Sequence, residues 1–472
     1  MGSRQLVRLL GSWTRGGDGS LHTQLAEQMR HLIATGAIPA SSRLPSERSL
    51  AVALDISRNT VAKAFDALRG EGLIASRQGD GSYTSGGVRH VTPRGDDRLE
   101  SFVSSEVDER KPSSAIDLRS AALPGLSMVA TELSQLDSAR VLALIGSHGY
   151  LPSGLRELRE AIAEYYTGLG LPTEAEHILV TSGAQQALRL SASLFVQRDS
   201  TVVIEEPSFR GAIESLHSLG ARLVGVPSGV DGVDVNALQA TVARTHPALI
   251  VVQSTVHNPT GSVMDGFRRS RVASIAKRFS VPVIDDATLA DTIIDGDRRP
   301  LPLAVGNDSI VTVGSTSKSF WGGLRVGWVR AAPELIDELT AMKGSEDLGT
   351  SILAQLLASQ LLPKIERASD ERRAVLSESR GLALDALAAL LPDWAPQMPA
   401  GGASLWIKLP TGNATAFTQR AERAGVLLLP GPTFSSSDRM DDYLRLAFAA
   451  SPDYTARGIE TLARTWESFS QN

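Results

Sequence analysis

Between residues 178 and 313 the chain alternates short β-branched apolar runs (178–180, 201–204, 249–252, 281–284 and 310–313) with longer stretches of helical period such as 184–196. Strands separated by a helix's worth of chain run parallel and are covered on both faces. The alternation therefore predicts an α/β fold with a mostly parallel sheet and helices on either side. From about residue 354 the pattern changes. A long helical stretch over 364–391 precedes short strand-like runs at 404–408 and 443–448, which predicts a smaller α+β lobe. With 472 residues, 42% of them apolar, the chain has length for about three domains, each able to bury a core.

The first 85 residues follow another pattern. Leu21, Leu25, Met29, Leu32 and Ile33 recur at helical spacing up to Gly36, a stop. Ser46, after Pro45, caps a helix through Leu54, and Ser57 caps another over 58–69, with only Asp55 and Ile56 between them. In the second, Val61, Ala64, Phe65 and Leu68 share one face, while Arg58, Asn59, Thr60 and Lys63 point elsewhere. Two tightly joined helices of this kind form a helix-turn-helix. Segments 73–76 and 82–84 flank Gln78-Gly79-Asp80-Gly81 as a hairpin, which makes the unit a winged helix.

Charge agrees with this division. Residues 1–86 hold ten basic and seven acidic side chains, net +3, so the total of -5 leaves -8 for the remainder. Only the N-terminal end suits a polyanion. Arg58, Asn59, Thr60 and Lys63 can meet base edges and phosphates, with Arg43 and Arg48 on the nucleic-acid backbone. A solvated helix face is the alternative for any one of these residues; caps, wing and local positive charge together favour duplex DNA.

Residues 86–114 are rich in Gly, Ser, Pro and charge and read as a flexible linker with a reach of roughly 100 Å at about 3.3 Å per residue. Residues 1–85 then form the winged helix and 115–472 the body. The absence of cysteine excludes disulfides, thiolate metal sites and thiol nucleophiles. No apolar run reaches the roughly 18 residues of a membrane span, and no secretory signal is evident, so a cytoplasmic protein is expected.

The chain has only seven lysines, at 63, 111, 277, 318, 343, 364 and 408. Lys318 ends the run Val313-Gly314-Ser315-Thr316-Ser317-Lys318, and Arg325 follows seven residues later. A lysine at a strand end, among hydroxyls and near an arginine, suits a phosphorylated cofactor held as a Schiff base, although a bare Ser-x-Lys turn also occurs on surfaces. Thr181-Ser182-Gly183-Ala184-Gln185-Gln186 leads a strand into a helix, whose first N–H groups can bind phosphate or simply be capped. In His257-Asn258-Pro259, Asn258 can donate to a phenolate oxygen, or form a plain Asn-Pro turn. Asp285 and Asp286 end a strand on alternate faces, so only one can pair with a protonated pyridine nitrogen; either can instead cap a helix or face solvent.

Two resemblances follow from these motifs. Leu44-Pro45-Ser46-Glu47-Arg48, Ser57-Arg58-Asn59-Thr60-Val61 and Glu71-Gly72-Leu73-Ile74 make residues 21–84 resemble the GntR family of winged-helix repressors. The likeness implies DNA contacts at Arg48, Ser57, Arg58, Asn59, Thr60 and the wing tip Gly79. Residues 115–469 are similar to fold type I, aspartate-aminotransferase-like pyridoxal 5'-phosphate (PLP) proteins. That likeness implies that Lys318 is the Schiff-base lysine and that Gly183, Ala184, Gln185, Ser315, Ser317 and Arg325 hold the phosphate. It places Asn258 at the ring oxygen, Asp286 at the pyridine nitrogen and Phe209 over the ring. Tyr150 would reach the phosphate of a neighbouring subunit, and Arg445 would clamp an effector carboxylate. No metal is implied.

Two departures accompany the likeness. Phe209 stands where many relatives have Tyr, and Ala287-Thr288-Leu289 lacks the aromatic usual after the aspartate, which implies weak transamination. Together the two halves look like the MocR subfamily of regulators: a homodimer, with a linker long enough for head-to-tail exchange, in which an amino compound or PLP itself modulates operator binding. A PLP-dependent aminotransferase that merely carries a DNA-binding domain is the alternative.

Overall fold

A computed structural model describes residues 2–11, 13, 20–34, 37–38, 42–71, 73–77, 81–84, 115–296, 299–437 and 439–470. The linker 86–114 and Gly79 lie outside the described residues.

The head contains α1 (Ser3–Leu10), α2 (Leu21–Ala34), α3 (Glu47–Leu54), α4 (Arg58–Gly70) and the hairpin β1 (Ile74–Arg77) and β2 (Gly81–Thr84). Both expected caps form: Ser46 Oγ accepts from the Ser49 amide at 3.2 Å and Ser57 Oγ from the Thr60 amide at 3.1 Å. Between the two helices Asp55 takes the left-handed conformation, with φ of 51°. Val61, Ala64, Phe65 and Leu68 are buried, and each large apolar side chain so buried contributes about 1.5–3 kcal/mol. That burial fixes which face of α4 is left for a ligand. Helix α1, not foreseen from the sequence, adds Leu6, Val7 and Leu10 to the same core.

The body enters through β3 (Ile116–Asp117), followed by α5 (Ser127–Ser134), α6 (Ser138–Ile145) and α7 (Arg156–Gly168). The large domain continues with β4 (Ile178–Thr181), α8 (Ala184–Phe195), β5 (Thr201–Glu206), α9 (Arg210–Ser218), β6 (Arg222–Gly229), β7 (Gly232–Val233), α10 (Val235–Thr245), β8 (Leu249–Val252), α11 (Gly266–Phe279), β9 (Val283–Asp286), β10 (Ile310–Ser315), β11 (Gly327–Arg330), α12 (Pro333–Glu346) and α13 (Ile352–Leu361). Its eight strands run in the order β4-β11-β10-β9-β8-β5-β6-β7. Pairs from β10 through β6 are parallel, as the alternation predicts, while β11 is antiparallel to both neighbours. Side chains alternate between two cores: Val180, Val203, Ile250 and Val283 face one, and Leu179, Ile204, Val251 and Ile284 the other. Because β4, β5, β8, β9 and β10 point the same way, their carboxyl ends share one edge, where open α/β sheets bind ligands.

The small lobe comprises α14 (Ile365–Leu390), β12 (Ala395–Gln397), β13 (Ser404–Lys408), α15 (Ala414–Arg423), β14 (Val426–Leu427), β15 (Leu429–Pro430), β16 (Tyr443–Ala447) and α16 (Pro452–Ser470). Its boundary differs from the one expected near residue 354. Leu356, Leu357, Leu361 and Ile365 pack into the large-domain core, and Leu376 is the first residue of α14 in the lobe's core. Conversely, β3 pairs with β14, and Leu118 and Leu123 join that core. A single helix crossing between two cores gives no composition change at the crossing.

Candidate functional sites: a nucleic-acid interface and a cofactor pocket

On the head, Arg43, Arg48, Ser57, Arg58, Asn59 and Lys63 are exposed and Thr60 is half-buried. Ser57 Oγ caps α4 and also lies 2.8 Å from Thr60 Oγ1. Arg58 lies 3.7 Å from Glu47, a loose pair that an exposed phosphate can replace. Arg43 bridges to Tyr83, tying the wing to the segment before α3.

In the body the sheet edge gathers the expected cofactor residues. Gly183, with φ of 108°, precedes α8, whose first amides point to the edge. A Cβ at Gly183 would lie 2.7 Å from Arg325 Nη2, and Arg325 also donates to Ser182 O at 2.9 Å. Glycine there leaves a cradle between the helix start and a guanidinium, the arrangement a phosphate needs. Gly327 serves the same contact, since a Cβ on it would come within 2.5 Å of the Gly183 carbonyl carbon.

Gln185 departs from its expected role: its amide nitrogen donates to Gly211 O (2.8 Å) and Ser215 Oγ (2.7 Å) on α9, so only its main-chain N–H remains for a phosphate. Ser315 Oγ donates to Val326 O at 3.1 Å and lies 2.9 Å from Ser317 Oγ. Ser315 thus braces the turn, and Ser317, less buried, is the outward hydroxyl.

Lys318 lies in a single π turn, Ser317–Trp321, and its Nζ donates to Ala121 O at 2.9 Å. Loss of solvation, with Arg445 and Arg372 nearby, pushes its ammonium down to about 8. An appreciable fraction of neutral amine is therefore present at neutral pH, as attack on a carbonyl requires.

The two aspartates separate by face. Asp285 shares the side of Val283 and accepts from Ser254 N and Oγ at 3.0 and 2.8 Å. Asp286 shares the side of Ile284, in the core that Phe209 and Ala184 adjoin. It accepts from Gln253 Nε2 at 3.0 Å and from Thr288 N and Oγ1 at 3.1 and 2.5 Å. Burial raises both carboxyls, a cost that a cationic ring nitrogen beside Asp286 would offset. Thr288, where an aromatic is usual, turns its hydroxyl onto Asp286.

Arg445 is buried on β16. It donates to Asn258 Oδ1 at 3.1 Å and to Arg119 O, its Cζ lies 4.9 Å from the Phe434 ring centre, and its Nε has no partner. Burial and the neighbouring Arg210 penalise its charge, which a carboxylate would restore. Tyr150 is exposed, its ring stacked on His148.

Two contributors escaped the sequence reading. The strap over 117–124 crosses the pocket, its Arg119 carbonyl on Arg445 and its Ala121 carbonyl on Lys318. Arg372 of α14 donates to Ser319 O (3.2 Å), Phe320 O (2.8 Å) and Pro124 O (2.7 Å), holding the lysine turn against that strap. An arginine in the buried stripe Ala368, Arg372, Leu376 was the available signal.

Fold and site together define a fold type I, aminotransferase-like body joined to a winged helix. Comparison with known proteins agrees: the profile described as aminotransferase class I and II matches residues 120–462, and the one described as bacterial regulatory proteins, gntR family, matches 21–83. The chain belongs to the aminotransferase class I and II family and carries a gntR-family head, the MocR-type architecture. The HTH-type transcriptional regulator YisV of Bacillus subtilis (strain 168) is 30% identical over 484 residues, covering 97% of this chain and 98% of the relative. The 2-aminoadipate transaminase of Thermus thermophilus is 30% identical over 72% of this chain and 88% of its own length. Among solved structures, LysN, the α-aminoadipate aminotransferase of Thermus thermophilus complexed with N-(5'-phosphopyridoxyl)-L-leucine, matches with a TM-score of 0.70 and 28% identity, over 76% of this chain and 93% of that one. The residues present fit PLP: helix-start amides and the Arg325 guanidinium meeting at Gly183, a lysine of lowered basicity and a buried carboxyl on the same face of the sheet.

Proposed function

We propose that this protein is a transcriptional regulator whose affinity for, or geometry on, a DNA operator responds to a small amino compound, or to PLP itself, at Lys318. The observation that carries this reading is the presence, in one chain, of a capped recognition helix with an exposed polar face and a pocket with a lysine of lowered basicity and a buried arginine whose Nε has no partner. Bound PLP supplies an aldehyde and an electron-withdrawing ring to which an amine can be joined. The chain's own residues supply the rest. Lys318 Nζ would offer the amine, Gly183, Ala184, Ser317 and Arg325 would hold the phosphate, and Asp286 would face the ring nitrogen. Asn258 would orient the ring oxygen, Phe209 would cover the ring, and Arg445, whose buried Nε lacks a partner, would take a carboxylate. An effector shifts the equilibrium between two arrangements only if it binds one better. An incoming amine that took the place of the Lys318 amine, together with engagement of Arg445 by its carboxylate, would provide that difference.

A homodimer, consistent with a two-half-site operator, completes the reading. Helix α6 has no buried residue and exposes Leu142 and Ile145, beside the exposed Tyr150, which suits a partner subunit. Among the described residues no helix is long and apolar enough to cross a membrane. The test is a promoter-shift assay at fixed salt with PLP-free and PLP-loaded protein and with Lys318→Ala. Expected are a visible Schiff-base absorption and a PLP-dependent change of operator binding in the wild type, both lost in the variant. A wild type with neither refutes the proposal. The second reading, an aminotransferase, is favoured by the intact Lys318, Asn258, Asp286 and Arg445 set; sustained amino-group transfer to keto acids would establish it.

A further inference from the structure

Lys343, on α12, is fully buried, and its Nζ lies 2.6 Å from Asp347 Oδ1, one helical turn on. Asp347 Oδ1 also accepts from Gly349 N at 2.9 Å, and Asp347 Oδ2 accepts from Gln186 Nε2 at 2.8 Å. Gln186, in the first turn of α8, in turn accepts from Ser182 N on Oε1 at 2.7 Å. A line of polar contacts thus runs from a buried ammonium to the main chain of the turn that leads β4 into α8.

Ser182 is the residue on which that turn is held. Its N–H goes to Gln186, its carbonyl accepts from Arg325 Nη2 at 2.9 Å, and its hydroxyl lies 3.3 Å from Thr350 Oγ1. Gly183 follows with φ of 108°, and the first amides of α8 follow Gly183. With both main-chain groups of Ser182 engaged, those amides keep a fixed direction relative to the Arg325 guanidinium. A side-chain amide has one accepting and one donating end, and its neighbours decide which way it turns. A main-chain N–H only donates, so Gln186 must show Ser182 its oxygen, and its nitrogen then needs an acceptor. The two carboxylate oxygens of Asp347 serve Gln186, Lys343 and Gly349 together.

We propose that Gln186, Asp347 and Lys343 form a polar relay that positions the cofactor phosphate by fixing the orientation of Ser182. They are positioning residues, acting through Ser182 and not on the phosphate. The inference rests on the placement of the PLP phosphate at Gly183 proposed above. The relay has a direction that a single atom change reverses. In Asp347→Asn the side-chain oxygen is drawn to the Lys343 ammonium and the Gly349 N–H, which turns the new nitrogen toward Gln186 Nε2. Gln186 must then rotate and set its own nitrogen against the Ser182 N–H, donor against donor. Adding Lys343→Met removes the charge that forces this, and the asparagine oxygen is free to turn to Gln186.

The test titrates PLP-free, full-length protein with PLP and with pyridoxal, which has the same ring and aldehyde but no phosphate, and follows Schiff-base absorption. Wild type is expected to bind PLP more tightly. Gln186→Met and Asp347→Asn should each lower PLP affinity about tenfold, the effect of one buried donor left without an acceptor, while pyridoxal affinity stays near wild type. Asp347→Asn with Lys343→Met should recover most of the loss. Gln186→Met keeps the buried ion pair, so its result does not depend on the folding of Asp347→Asn. An equal loss for both ligands in Gln186→Met, or a double variant no better than Asp347→Asn alone, overturns the relay. A wild-type preference for PLP that the single variants leave intact overturns the relay but keeps the phosphate at Gly183. A wild type that binds the two ligands alike overturns that placement and the relay with it.

Discussion

Replacing Lys318 by methionine should make the PLP-free protein more stable, although it removes the cofactor's anchor. The ammonium is held where desolvation, Arg445 and Arg372 lower its pKa from 10.5 to about 8. At about 1.4 kcal/mol per pH unit, that difference corresponds to about 3 kcal/mol against folding at neutral pH. Methionine fills similar space without charge. It forfeits the bond to Ala121 O, a loss of about 1 kcal/mol, so a net gain of about 2 kcal/mol is expected. The sign with pH follows from proton counting. Between pH 8 and 10.5 the unfolded chain binds more protons at this site than the folded one, so wild-type stability rises with pH there. The advantage of Lys318→Met is therefore full below pH 8 and gone by about pH 10.5. Urea unfolding of PLP-free protein, followed by tryptophan fluorescence at about pH 7 and about pH 10, measures it. A variant no more stable than wild type near neutral pH, or a difference independent of pH, would refute the account of Lys318 as a desolvated, partly neutral amine.

Gly183→Ala must place a Cβ at φ of 108° and 2.7 Å from Arg325, so PLP affinity, read by absorption titration, should fall at least about tenfold for a backbone cost of about 1–2 kcal/mol. Arg445→Lys loses the planar fork; calorimetry should show affinity for an amino acid dropping by about 1.5–3 kcal/mol, with little loss for the amine that lacks its carboxylate. Arg58→Ala should weaken operator binding by about 1–3 kcal/mol in a shift assay and relax preference at one base position. Lys63→Ala should instead weaken all sequences alike and lower the slope of log affinity on log salt by about 0.9.

What was legible in the chain was what local chemistry decides. Ser46 and Ser57 cap their helices because a hydroxyl beside open amides does so in any context. The β-branched runs became β4, β5, β8, β9 and β10 because their burial on both faces is written residue by residue. Lys318 and Arg445 were legible as motif residues, and the sheet edge explains why positions 183, 258, 286 and 318 converge. Features that depend on distant chain were not legible. Strand β11 lies between β4 and β10, where Gly327 lets it approach Gly183 closely. Gln185 turned its amide to α9, where it found a nearer partner than a ligand. Arg372 has a role only once α14 crosses behind the lysine turn.

The strap over 117–124 has a consequence for the direction in which information travels. It is anchored at β3, and its carbonyls at 119 and 121 hold Arg445 and Lys318. Binding free energies are reciprocal: whatever a ligand does to the head through the pocket, a load on the head does to the pocket's affinity by the same factor. An operator whose half-sites are spaced to stretch the chain would then set the concentration at which the effector is felt, and one promoter would tune the sensor differently from the next.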